Sequence, residues 1–263
     1  MSHRPNRRAP EPLIDLSFPR RCHIIGVGGP GMSPIAKLLV ARGHTVSGSD
    51  TRASAVTEQL QELGVTVSVG HHPDLVAGVD VVVYSTAIPS TNVELVAAHA
   101  QGIPVRHRSG ILSSLCATSR AIGIAGTHGK TTTTALLSTI FAASSIDASV
   151  IIGAEVPGHG VGAYAGSSDV MLLEADESDG TLDVLPLESI VITNVDVDHL
   201  DYFGSFEEMQ SAFVDAAQRC TGVVVANADD PQSGPILTAL QGSSRLVTFG
   251  WAMGATVRIV SAR

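Results

Sequence analysis

The stretch GIAGTHGKTTTT, Gly123 to Thr134, limits the fold more than any other part of the chain. It follows the apolar run Ala121–Ala125 and leads into a helix-forming segment with Ala135, Leu136 and Leu137. Strand, glycine turn and helix in direct succession open a βαβ unit, and repetition of that unit gives a parallel sheet. The turn also carries chemistry. Glycines let several backbone N–H groups point at one anion, and the helix N-terminus adds partial positive charge. The usual phosphate loop is G-x-x-x-x-G-K-[ST]. Here Ile124 stands five residues before Gly129, where that pattern needs glycine, so the loop is cut short to G-T-H-G-K-T between Gly126 and Thr131. In this reading Gly126, Thr127, His128, Gly129, Lys130, Thr131 and Thr132 surround the phosphates. Lys130 lies on the β- and γ-phosphates, and the Thr131 hydroxyl ligates Mg²⁺. The chain has two lysines, Lys37 and Lys130, against fourteen arginines, so a lysine at this place is not background. His128 is either a ligand contact or a packing residue.

A second glycine loop lies a hundred residues earlier. Gly26, Gly28 and Gly31 form G-x-G-x-x-G after the strand-like CHIIGV and before the helix-like MSPIAKLLVARG. Asp50 ends the next strand, near where an acid binds a ribose hydroxyl. On these residues alone the loop fits a dinucleotide such as NAD, another nucleotide diphosphate, or tight packing only.

The rest of the chain repeats the alternation twice over. HTVSGSD, VTVSVG and VDVVVYS read as strands, and SAVTEQLQELG and NVELVAAHAQG as helices. A new cycle opens at RAIGIAG and runs through DVMLLEAD, SIVITNVD, the helix SFEEMQSAFVDAAQR, GVVVANADDP and RLVTFG. The boundary is expected in SSLCATSR, residues 113–120. ATVRIVSAR reads as a strand with nothing after it, so the array looks cut short. The chain is 44% hydrophobic and 16% charged, which supports a packed core. A net charge of -9 argues against nonspecific nucleic-acid binding, which needs a basic surface. No apolar run approaches the ~20 residues of a spanning helix, so membrane insertion is not expected. Residues 1–20 carry arginines and prolines without the apolar core of a signal peptide, and read as a disordered leader. Cys22, Cys116 and Cys220 match no metal spacing and read as reduced, buried thiols of a cytoplasmic protein.

Acids collect where two strands of the second unit end. VMLLEADESD places Glu174 at a strand end, followed by Asp176, Glu177 and Asp179. IVITNVDVDHLD places Asn194, Asp196, Asp198, His199 and Asp201 at another. Beside a phosphate loop, oxygen ligands at this edge suit magnesium. Glu174 and His199 are the first candidates, and zinc is less well served because no second His or Cys stands at a suitable spacing.

Taken together, GVGGPGMSPIAKLL, VSGSD, STAIPSTN, GTHGKTTTT, EADESD, TNVDVDHLDYFGSFE and NADDP resemble, in order and approximate spacing, the Mur ligase family, and within it the branch that adds L-alanine to UDP-N-acetylmuramate. The resemblance implies an ATP-dependent ligase of peptidoglycan synthesis, tied through the cell wall to cell shape and division, that works through an acyl phosphate. It implies a Rossmann-like UDP-substrate domain at 21–117 and a P-loop α/β ATP domain, partial, at 118–263, with the family's C-terminal domain absent. The first glycine loop then holds UDP rather than NAD. Gly28, Gly29, Gly31, Met32, Ser33, Asp50, His71, Ser85, Thr86 and Ala87 become substrate-binding, Lys130, Glu174 and His199 catalytic, and Thr131, Glu174 and His199 metal ligands. UDP-N-acetylmuramate, L-alanine and ATP are the implied partners, with ATP and Mg²⁺ as cofactors. Two departures stand out: GTLDVLP follows EADESD where the family usually has a phenylalanine-containing run, and the loop between Gly153 and Asp169 lacks the usual asparagine–arginine pattern. The rival readings are the murein tripeptide ligase, whose first glycine loop differs, a fragment that binds both nucleotides without turnover, and an NAD-dependent oxidoreductase, which leaves the second loop unexplained.

Overall fold

The computed structural model describes residues 7–156, 160–198 and 200–261. By internal contacts the chain forms two units, one from Glu11–Thr118 with Asp147–Asp169, the other from Ser119–Ile146 and Val170–Arg263 with Met1–Pro10.

The first unit begins β1 (Arg21–Ile25), α1 (Ser33–Ala41), β2 (Thr45–Asp50), α2 (Ala55–Glu62), β3 (Thr66–Val69), β4 (Val81–Tyr84), α3 (Val93–Ala100), β5 (Val105–His107) and α4 (Arg108–Ala117). All five strands are parallel in the order β3-β2-β1-β4-β5. Parallel strands are covered on both faces, so they read as unbroken apolar runs; Ile24, Ile25, Val81, Val82 and Val83 are fully buried. Helix α1 buries Ile35, Leu38 and Leu39, the i, i+3, i+4 spacing of one helical face. Ser54 caps α2 by accepting from the Thr57 amide, and Asn92 caps α3 by accepting from the Glu94 and Leu95 amides. The sheet order reverses at β1, so the turn after β1 opens into the crevice where such sheets take ligands.

The second unit contains β6 (Arg120–Ala125) and α5 (Lys130–Ala143). The chain then gives the hairpin β7 (Ser149–Val156) and β8 (Gly160–Tyr164), which belongs by contacts to the first unit. It returns as β9 (Val170–Glu174), α6 (Thr181–Val184), β10 (Ser189–Ile192), α7 (Leu200–Phe203), α8 (Phe206–Arg219), β11 (Val224–Asn227), α9 (Gly234–Ala239), β12 (Leu246–Gly250) and β13 (Val257–Arg258). The second unit's strands are parallel in the order β13-β12-β11-β10-β6-β9. Helix α8, capped by Ser205, turns Met209, Ala212, Phe213, Ala216 and Ala217 inward.

Two features differ from the sequence reading. The described part of the leader is not free. Arg7 donates to Asp183 (2.7 Å) and Asp215 (2.6 Å), Ile14 N–H donates to Ser114 Oγ (2.9 Å), and Leu16 is buried. The Arg7 fork can satisfy two carboxylates at once, which pattern-reading of a polar segment does not reveal. The stretch after Gly153, read as a loop, contains β8, and antiparallel pairing with β7 rather than apolar periodicity makes it a strand. By contacts the division falls between Thr118 and Ser119, just past the end of α4, where Leu115 and Cys116 are buried.

All three cysteines are free and buried, and burial pushes the Cys22 and Cys116 thiols up to about 12 and Cys220 up to about 11.

Glycine 48 marks the tightest place in the first sheet. A Cβ there would stand 2.6 Å from Val27 Cβ and 2.8 Å from the Ile24 carbonyl. Gly48→Ala is expected to destabilise the protein by about 1–3 kcal/mol, read as a lower urea midpoint; an unchanged midpoint would contradict this packing.

Candidate functional site

The shortened glycine loop is held from beneath by the chain that follows β10. Gly126 has φ +127°, and a Cβ there would meet Thr193 Oγ1 and come within 2.8 Å of the Asn194 carbonyl, so only glycine fits. Thr127 N–H donates to the Asn194 carbonyl (3.2 Å) and His128 N–H to Asn194 Oδ1 (2.9 Å). The His128 carbonyl accepts in return from Thr193 Oγ1 (2.7 Å) and Asn194 Nδ2 (2.9 Å). Asp230 continues the brace by accepting from Val195 N–H (2.8 Å), while Asn227 Nδ2 donates to the Thr193 carbonyl (3.2 Å). Gly129, at φ +83°, occupies the cap position of α5 with no side chain capping the helix. The first amides of α5 therefore have no side-chain cap, and an uncapped helix start of this kind suits an anion.

Lys130 opens α5. Its Nζ donates to the Gly126 carbonyl (2.7 Å) and to both oxygens of Glu177 (3.0 and 2.9 Å). Glu177 is fully buried, and burial pushes its carboxyl up, outweighing the downward pull of Lys130. The sequence reading had Glu177 only as one acid among several. The buried side chain of His128 that packing would require is absent; its ring is 67% exposed, with Nε2 3.7 Å from Asp196 Oδ2.

Glu174 ends β9 beside Ile124 of β6, which puts its carboxylate at the same sheet edge as the loop. Asp176 is occupied locally, accepting from Ser178 N–H (2.9 Å) and Oγ (2.7 Å), and Asp179 accepts from Thr181 N–H (3.0 Å). His199 and the Asp201 side chain lie outside the described residues. Among the described residues no three His, Cys, Asp or Glu side chains form a metal cage. Glu174 and Thr131 are oxygen donors beside a phosphate loop, and such a donor set fits magnesium, which takes one or two carboxylates and completes its shell with water and substrate phosphate.

In the first unit, Gly26 and Val27 amides both donate to the Ser49 carbonyl (2.8 and 3.0 Å), and Gly28 N–H donates to Asp50 Oδ2 (2.9 Å). Asp50 thus shapes the loop itself. A Cβ at Gly31 would meet Arg108 Nη1, a cation that the sequence reading passed over. Met32 and Ser33 are buried at the start of α1. Ser85, Thr86 and Ala87 form the turn after β4, and Ile88 Cδ1 would stand 3.3 Å from a Cβ on Gly26. His71 follows β3, where Gly70 N–H donates to the Asp50 carbonyl (2.8 Å). The strand order therefore gathers Gly28, Gly29, Gly31, Asp50, His71 and Ser85 to Ala87 along one edge.

Behind that edge lies a buried polar cluster that the sequence reading missed. Glu94, with no exposed surface, accepts from Ser49 Oγ (2.7 Å) and His72 N–H (3.2 Å), and lies 3.1 Å from both His23 Nε2 and His71 Nδ1. Burial pushes its carboxyl up, but the hydrogen bonds from His23, Ser49 and His71 outweigh burial and hold it below its ordinary value.

The sequence matches the family description "Mur ligase family, catalytic domain" over residues 21–120 and "Mur ligase middle domain" over residues 124–261. The chain belongs to the Mur ligase family. Among curated relatives, this chain is 44% identical over 243 residues to the UDP-N-acetylmuramate–L-alanine ligase of Rhodopseudomonas palustris strain BisA53, covering 90% of this chain and 51% of that protein. It is 41% identical over 252 residues to the ligase of the same name from Clavibacter michiganensis, covering 95% and 52%. The crystal structure of the UDP-N-acetylmuramate-alanine ligase of Thermotoga maritima superposes with a TM-score of 0.76 at 28% identity, over 88% of this chain and 52% of that one. The chain thus spans about half the length of the relatives it matches.

The Glu94 cluster has a pH signature. A carboxyl lowered in the folded state contributes stability above its unfolded value, near 4.5, and loses it as pH falls through the folded value. Glu94→Gln is expected to be less stable than the parent at neutral pH, with the gap closing as pH drops below 4.5. Denaturant midpoints of both proteins across that range provide the check, and a gap independent of pH would rule the ionised cluster out.

Proposed function

We propose that this chain carries the UDP-sugar and ATP sites of an ATP-dependent ligase that joins L-alanine to UDP-N-acetylmuramate in peptidoglycan synthesis. The observation that carries the reading is the braced, shortened loop with uncapped α5 amides and the Lys130 ammonium at its centre. The names and identities of the relatives supply the substrates. Residues 28–33, Asp50, His71 and 85–87 hold the UDP portion, residues 126–132 the ATP phosphates, and the protein acts in the cytoplasm, where its substrates are made.

The chemistry follows from bringing two anions together. The muramoyl carboxylate attacks the γ-phosphorus of ATP, the bond to the bridging oxygen breaks, and ADP leaves. The L-alanine amine then attacks the acyl carbon, phosphate departs, and one proton is lost from nitrogen. Lys130 and the loop amides stabilise negative charge on the transferring phosphoryl group. When bound, Mg²⁺ adds charge neutralisation there, with Thr131 and Glu174, and on the family resemblance His199, as its protein ligands. Binding energy from the UDP portion, remote from the reacting carboxylate, positions that carboxylate for attack.

Lys130→Ala is expected to weaken ATP binding by about 1.5–3 kcal/mol, since it removes a charge-assisted contact to phosphate, or roughly ten- to a hundredfold. UDP-N-acetylmuramate affinity should hold. Because the variant leaves Glu177 buried without its cation, Lys130→Ala with Glu177→Gln serves as the folding control. Calorimetry with each ligand decides; unchanged ATP affinity in both variants would refute the phosphate-loop assignment.

A further inference from the structure

We infer that buried Glu94 locks His71 in its Nδ1–H tautomer, so that His71 Nε2 offers a lone pair to the base of the bound nucleotide and selects the N3–H of uracil over the bare N3 of cytosine. The inference rests on the UDP reading of the first unit and specifies which atom reads the base.

The placement comes first. Strands β1, β2 and β3 are neighbours, and their carboxyl ends carry in turn the glycine loop, Asp50 and, just past β3, His71. In a sheet of this order the phosphates sit on the first turn and a ribose hydroxyl on the acid ending the second strand. The next strand end outward is then where the base arrives. The His71 side chain is 21% exposed, so its ring is held but not sealed.

The tautomer follows from counting donors and acceptors. His71 Nδ1 faces Glu94 Oε1 (3.1 Å) and Ser49 Oγ (3.0 Å). An ionised carboxylate only accepts. Ser49 has one hydroxyl proton, and it goes to Glu94 Oε2 at 2.7 Å. Toward His71 the Ser49 oxygen can therefore only accept. Both neighbours of Nδ1 are acceptors, so Nδ1 carries the proton. The neutral ring then has its lone pair on Nε2, which makes no hydrogen bond among the described residues. His23 completes the cluster: Nε2 donates to Glu94 Oε2 (3.1 Å) and Nδ1 pairs with Ser47 Oγ (2.8 Å). Oε1 is also fixed by the His72 backbone N–H (3.2 Å), which cannot reverse its direction. A carboxylate receiving four donors, at the start of a capped helix, has one ionisation state and one orientation. Glu94 is a positioning residue; His71 is the atom-level reader.

The test compares UDP-N-acetylmuramate, UDP and CDP by calorimetry on the parent, His71→Gln, Glu94→Gln and Glu94→Ala. Imidazole nitrogen shifts in the ¹⁵N-labelled parent report the tautomer directly. The parent should bind UDP at least about tenfold more tightly than CDP, since the wrong base leaves a polar pair unmade. Glutamine at 71 can turn either amide end to the base, so His71→Gln should bring UDP and CDP to within a few-fold. Glu94→Gln should keep the preference, because the His72 amide holds the glutamine oxygen toward His71. Glu94→Ala should lose both the preference and the tautomer. Equal UDP and CDP affinity in the parent, a preference surviving in His71→Gln, or a protonated Nε2 in the neutral ring would overturn the inference while UDP-N-acetylmuramate still binds. Failure of all three ligands to bind the parent would overturn the UDP reading and the inference with it.

Discussion

The contact between Lys130 and Glu177 sets the terms for the second unit. An ammonium at the start of α5 and a carboxylate with no exposed surface are tolerable only together, because either one alone would be a buried or half-buried charge without a partner. Their pairing fixes where the lysine sits in a loop too short to wrap phosphate in the usual way. The missing length is made good from outside. Thr193, Asn194 and Asp196 hydrogen-bond the loop's backbone and side chains, and Asp230 and Asn227 hold that bracing segment in turn. The loop is thus a product of three adjacent strand ends, β6, β10 and β11, and not of its own sequence alone.

The first unit solves a related problem differently. Its glycine loop is tied to the next strand through Ser49 and Asp50, and the polar edge is backed by a carboxylate buried among two histidines and a serine. In both units one buried glutamate fixes neighbouring polar groups, Lys130 in one and His23, Ser49 and His71 in the other. Each has its ionisation moved by its surroundings, in opposite directions: up for Glu177, where burial dominates, and down for Glu94, where hydrogen bonds do.

The parts of this arrangement legible in the sequence are those governed by local rules. Glycine spacing between an apolar run and a helix reveals both loops, because only glycine permits the backbone shape at Gly126. Ser54 and Ser205 announce helix starts, since capping is a short-range bond. Acids at the ends of β9 and β10 are visible for the same reason. What stays hidden depends on partners distant in sequence. Nothing local separates Glu177 from Asp176 or Asp179, yet one is buried against Lys130 while the others accept from their own turn. Glu94 sits in the first turn of α3, where an exposed acid is ordinary, and its three side-chain partners come from β1, β2 and the turn after β3. Arg7 reads as part of a polar leader until Asp183 and Asp215 are brought beside it. Strand β8, GVGAY, carries two glycines and little apolar weight, and its antiparallel pairing with β7 defines it.

The central claim is that two glycine loops on two separate α/β units hold two different nucleotides at once. The most direct measurement is sequential titration calorimetry, with MgATP added to protein already saturated with UDP-N-acetylmuramate, and then in the reverse order. The account predicts one site for each ligand, with neither displacing the other. Competition between the two ligands for a single site, or tight NADH binding in place of the UDP-sugar, would contradict it.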